Sequence, residues 1–170
     1  LRLRGMESMS SMHRQSMVAR RQQSFRCEAE TCLEFAPEHF QQMAGLILYY
    51  DTKDYIYLRV THHEELGPCL GIVQSKNGLY DELLERDIRL QGTGRYRLKA
   101  EIDRELVQFY YADAGREWTP VGGRIELTHL SDDFPAYIRF TGTFIGMCVQ
   151  DLSGMKKHAD FDYFVYKESF

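Results

Sequence analysis

The feature that most constrains this chain is a period of two that recurs along most of its length. In "YIYLRVT", Ile56, Leu58 and Val60 fall on one side and Tyr55, Tyr57, Arg59 and Thr61 on the other, the pattern of a strand with one buried face. The preceding "MAGLILYY" is a more fully apolar strand, and the polar turn "DTKD" joins the two as a hairpin. "CLGIVQS" runs into Asn77-Gly78, a pair that accepts the positive φ of tight hairpins, and "LYDELLE" returns. "RYRLKAEID" alternates Tyr96, Leu98, Ala100 and Ile102 against charged residues, and "ELVQFYYA" follows a turn at Asp103-Arg104.

Four later stretches extend the pattern. "DAGREWTPVG" is a loop carrying the only tryptophan, Trp118, and "LTHLSDDFP" is one helical turn ended by Pro135. "AYIRFTGTFIGMCVQ" holds two strands around a Thr-Gly-Thr turn, and "ADFDYFVYKE" sets Phe161, Tyr163 and Val165 against Asp160, Asp162, Phe164 and Tyr166. Many short strands and no convincing amphipathic helix predict an all-β, two-sheet β-sandwich of jelly-roll type. At 170 residues, 44% of them hydrophobic, the chain suffices for one core with a short irregular lead.

Composition narrows the partners. Twenty-one basic and 25 acidic residues are mixed without a stripe of one sign, which argues against nucleic acid. No run of eighteen apolar residues occurs, so no transmembrane helix and no membrane partner are expected. Cys27, Cys32, Cys69 and Cys148 are irregularly spaced and form no CxxC pair, which reads as reduced thiols of a cytoplasmic protein. The sequence does not begin with methionine and "LRLR" reads as an edge strand or linker, as in part of a longer protein.

Catalysis by this chain finds little support in its residues. Glycoside hydrolysis needs two carboxylates facing each other across a cleft, one kept protonated. The acids here fall in turns ("DTKD", "SDD") or on polar strand faces, the usual place of solvated groups. There is no G-x-S-x-G elbow and no glycine-rich loop before a helix. Tyr49, Tyr50, Tyr55 and Tyr57 could line a platform that stacks on sugar rings, or they pack across the sheet as strand aromatics do. Sandwiches of this kind often staple their chain ends with calcium. Glu28, Glu30, Asp160 and Asp162 are the acidic candidates for such an ion, although alternation equally leaves them in solvent.

The strings "RGMESMSSMHRQSMVARRQQSF", "FQQMAGLILYYDTKDYIYLRVT", "REWTPVG", "FTGTFIGMCVQDLSG" and "ADFDYFVYKE" resemble the C-terminal domain of family 43 β-xylosidases over essentially the whole chain. The resemblance implies a concanavalin A-like sandwich at 24–170, with 1–23 as the connection from an N-terminal five-bladed propeller. That propeller would hold the three catalytic carboxylates and release xylose from xylo-oligosaccharides with inversion, leaving no catalytic residue in this chain. The resemblance further implies a homo-oligomer, no required cofactor, and a sandwich loop that sets a phenylalanine over the propeller's pocket. The matching segment is "RFTGTF", where Phe144 is preferred to Phe140 because Phe140 continues the alternation of "YIRF" toward the core. The rival roles are an independent xylan-binding module using the tyrosines, and a purely structural assembly domain.

Overall fold

The computed structural model describes residues 1–168 except Thr93, Ala114, Arg116 and 135–138. Two antiparallel sheets face one another. One is built from β1 (Arg2–Arg4), β13 (His158–Glu168), β3 (Arg26–Glu34), β9 (Arg95–Asp103), β10 (Leu106–Asp113) and β11 (Thr119–Glu126), in that spatial order. The other runs β2 (Ser16–Arg21), β12 (Phe144–Asp151), β4 (Gln42–Tyr49), β5 (Tyr55–His63), β6 (Gly67–Lys76) and β7 (Leu79–Glu82), with β8 (Ile88–Arg89) also on β6. The expected all-β sandwich is therefore the observed fold. Between the sheets lie the predicted inward residues Ile56, Leu58 and Val60, facing Tyr96, Leu98, Ala100 and Ile102. The β6–β7 turn has Asn77 and Gly78 at φ 53° and 78°, the left-handed geometry that lets two strands reverse without splaying.

Four readings of the sequence need correction. The "TPVG" end of the expected loop is not loop but the start of strand β11. That strand forms the edge of its sheet, where a proline such as Pro120 is tolerated. The alternation in β13 breaks at a bulge between Phe161 and Tyr163, so that Phe164 and Tyr166, not Tyr163 and Val165, join Phe161 against the core. The lead is not irregular: β1 pairs with β13 and β2 with β12, so residues before 24 supply an edge strand to each sheet.

The fourth concerns β5, which is buried on both faces. Met9, from the segment between β1 and β2, is wholly buried against Met43, Ile47, Tyr55, Tyr57, Val73 and Cys148 on the outer side of the seven-stranded sheet. A second small core results. All four cysteines are free and buried, and Cys69 and Cys148 occupy strand interiors as expected. Of the two strands expected around the Thr-Gly-Thr turn, the second is β12. The first lies largely outside the described residues. The expected helical turn is the 3₁₀ turn Thr128–Leu130, while Pro135 falls outside them.

Candidate functional site

The site begins in the β4–β5 turn. Asp51 Oδ1 accepts the amides of Lys53 (2.8 Å) and Asp54 (3.0 Å), folding "DTKD" back on itself. This turns Asp54 inward, where its Oδ1 accepts the Asn77 amide at 2.7 Å and its Oδ2 lies 3.1 Å from Arg139 Nη2. The same guanidinium reaches Asp51 Oδ2 at 3.2 Å and donates to the His129 carbonyl at 3.3 Å. It also lies over the Tyr50 ring, 3.6 Å from the centroid. A buried guanidinium is costly to desolvate, and this many partners is what makes the position tenable.

From Arg139 the chain runs through a loop tied down residue by residue. The Thr141 amide donates to the Tyr50 hydroxyl at 3.2 Å, and that hydroxyl donates to Asp132 Oδ1. Gly142, at φ 70°, donates its amide to the same carboxylate oxygen at 3.1 Å. The Thr143 hydroxyl donates to the Leu130 carbonyl at 2.7 Å, and the Thr143 carbonyl accepts the Gln22 amide at 2.8 Å. Between these fastenings Phe140 stands 77% exposed.

Phe144 differs. It opens β12, paired between Arg21 and Tyr49, and is partly buried with the Arg21 guanidinium 5.7 Å from its ring centre. The preference for Phe144 rested on Phe140 continuing a strand into the core. Arg139 takes the inward position instead, which leaves Phe140 pointing to solvent.

Beside the loop opens a cleft of about 810 Å³, whose lining includes Gln22, Phe25, Leu127, Asp132, Phe134 and Gly142. Phe25 at its rim is also exposed. The Tyr50 hydroxyl holds the Asp132 carboxyl below its ordinary range, aided by the Gly142 amide, and the Arg2 guanidinium does the same to Asp160. A general acid for glycoside cleavage needs the opposite shift. Behind the loop, burial lowers the imidazole of His129 to about 4, with Asp54 pulling the other way and Lys76 and Arg139 adding to the fall.

The other candidates are placed as follows. Tyr55 and Tyr57 are buried beneath the segment between β1 and β2, and Tyr49 is partly so, its hydroxyl accepting from Gln15 at 3.1 Å. Tyr50 lies on the opposite, inner face. The four tyrosines thus form no exposed platform. Glu28 pairs with Lys167 (3.5 Å), Glu30 accepts from the Tyr163 hydroxyl, Asp160 pairs with Arg2 (2.7 Å) and Asp162 with Arg95. Register sets Asp160 opposite Glu34 and Glu28 opposite Lys167, roughly 20 Å along the strand by its rise per residue. One ion cannot collect this set. At the chain ends the Arg2–Asp160 pair itself bridges β1 and β13.

Asp54, His129, Asp132 and Arg139 were not singled out in the sequence, and Tyr50 was singled out only as part of a sugar platform. "DTKD" and "SDD" look like ordinary solvated turns, and only a lone arginine in the apolar "YIRF" hinted that a buried acid must await it.

The two facing antiparallel sheets define the class of the protein, an all-β sandwich. Residues 1–167 match the family described as the β-xylosidase C-terminal concanavalin A-like domain, and the chain belongs to that family. It is similar to a β-xylosidase of Bacillus subtilis, 43% identical over 99% of this chain and 32% of the relative. It is also similar to a xylan 1,3-β-xylosidase of a Vibrio species, 37% identical over 99% of this chain and 31% of the relative. Among solved structures, a xylan β-1,4-xylosidase from Bacillus halodurans superposes with a TM-score of 0.97 at 60% identity, covering 99% of this chain and 32% of the other. The chain thus spans about a third of the length of these relatives.

Proposed function

We propose that this chain is the non-catalytic C-terminal sandwich of a family 43 glycoside hydrolase acting on xylan. In this reading it closes the active site of an adjoining five-bladed propeller, whose carboxylates carry an inverting hydrolysis of xylo-oligosaccharides. The observation that carries it is Phe140, an exposed ring held on a loop tied to the fold at Arg139, Thr141, Gly142 and Thr143. An apolar ring fixed in solvent is costly unless it meets something, and a sugar's apolar face or a pocket mouth is a fitting partner. The carboxyls whose shifts are described above move down, away from general-acid chemistry, which supports assigning proton transfer to the missing part of the enzyme.

The outward position of Phe140 favours it over Phe144 as the closing residue. A contribution to oligomer formation finds support in β7, an open sheet edge with Leu79 and Tyr80 exposed. The independent xylan-binding reading loses its basis with the buried tyrosines. Steady-state kinetics of the full-length enzyme on an aryl xyloside test the proposal. Phe140→Ala should lower kcat/KM by roughly five- to 150-fold, as for loss of one apolar pocket contact. Unchanged kcat/KM would remove the active-site role.

A further inference from the structure

Phe140 has a fastened neighbour on each side, and both fastenings meet on one residue. Arg139 lies on the face of the Tyr50 ring, and Thr141 donates its amide to the Tyr50 hydroxyl. Tyr50 is itself fixed: it is buried at the end of β4, and its backbone amide donates to the Asp54 carbonyl at 2.9 Å. Its hydroxyl passes the connection on to Asp132, which also receives Gly142.

We propose that Tyr50 is a positioning residue for Phe140, and that its hydroxyl bond to Asp132 is the latch that sets where the exposed ring stands. This rests on the reading that Phe140 closes a substrate pocket. A ring at a loop tip gains nothing from packing of its own, so its direction is fixed by the backbone on either side. Tyr50 holds that backbone twice, by its ring through Arg139 and by its oxygen through Thr141. Asp132, drawn from the segment after the 3₁₀ turn, closes the bracket from the opposite side. Removing the single oxygen of Tyr50 frees the Thr141 amide and leaves the Asp132 carboxylate with Gly142 alone, while the ring keeps its contact with Arg139. The loop then loses its set position although the fold behind it stays intact. A displacement of about 1 Å in a group that shapes a site is enough to reduce turnover strongly.

The test is a double-mutant cycle in the full-length enzyme, comparing wild type, Tyr50→Phe, Phe140→Ala and the double variant by kcat/KM on an aryl xyloside. Tyr50→Phe should lower kcat/KM about tenfold. In the Phe140→Ala background the same change should have no effect, because the latch has nothing left to position. Asp132→Ala, which cuts the latch from its exposed end, should reproduce both results and decides the matter if Tyr50→Phe fails to fold. Two outcomes overturn the inference alone: full activity in Tyr50→Phe, or an equal loss from Tyr50→Phe with and without Phe140, the mark of a general structural role. Full activity in Phe140→Ala overturns the pocket reading itself and the latch with it.

Discussion

Arg139 sets its guanidinium 3.1 Å from the carboxylate of Asp54, with side chains only 2% and 1% exposed. The two residues are far apart in sequence; in the fold they join the 139–143 loop to the β4–β5 turn. Removing Arg139 strands the Asp54 carboxylate in the interior, so Arg139→Met should lower unfolding stability by about 3–5 kcal/mol, while Asp54→Ala, which leaves the guanidinium its contact with Asp51, should cost less. The double variant should cost clearly less than the sum, because neither charge is then left unpaired. Urea denaturation of the four proteins checks this, and strict additivity would deny the pair.

His129 predicts a pH dependence. Burial lowers its imidazole from the ordinary 6.5 to about 4, so the unfolded chain takes up a proton in this interval while the native chain does not. The stability it contributes is fully present above pH 6.5, falls as pH drops toward 4, and then levels. His129→Gln should flatten that stretch of the stability curve. A wild-type and a variant curve of equal slope between those limits would count against the assignment.

How much of this was legible beforehand follows from which forces are local. Alternation in "YIYLRVT" and "RYRLKAEID" reports directly on burial, and the core residues it selects are the ones observed. Asn77-Gly78 carries its own turn chemistry. The bulge in β13 escapes such reading because one extra residue flips every side chain after it and leaves no compositional trace. Met9 closes over Tyr55 and Tyr57 from more than forty positions away, so their second burial could not be seen in β5 itself. The Arg139–Asp54 pair and the Tyr50–Asp132 latch are tertiary in the same sense. Each looks like a solvated turn until the other arrives.

Chelation should leave the chain's melting temperature unchanged. Asp160 and Asp162 are paired with arginines, and Glu28 and Glu30 are bonded to Lys167 and Tyr163, along different parts of the β3–β13 ladder. An ion that bound only the native state would add stability by mass action, and its removal would lower the melting temperature. A drop in excess chelator, reversed by calcium, would restore the ion staple and place it elsewhere than on these four.

The isolated chain should hydrolyse no aryl xyloside and should migrate normally through a gel containing soluble xylan. Hydrolysis requires a protonated acid opposite a second carboxylate, whereas the Asp132 carboxyl beside the cleft is held below its ordinary range by the Tyr50 hydroxyl. Retardation would call for a platform of several open rings side by side, and of the tyrosines that could form one Tyr55 and Tyr57 are covered. Turnover by purified chain, or marked retardation, would contradict these expectations separately.

Finally, the two phenylalanines of "RFTGTF" should part company in stability. Phe140 is 77% exposed, so truncating it to alanine removes almost no buried apolar surface and should shift unfolding free energy by less than about 0.5 kcal/mol. Phe144 is partly buried in β12 between the pairing positions of Arg21 and Tyr49, and its loss should cost about 1–2 kcal/mol. Phe109, wholly buried between the sheets, supplies the reference: Phe109→Ala should cost about 3–5 kcal/mol. Denaturant melts of the three variants order the positions without reference to any substrate. If Phe140→Ala proves as costly as Phe109→Ala, the ring is packed in solution and not free to meet a sugar. If it is as mild as its exposure implies, any loss of activity in the same variant belongs to the site and not to the fold.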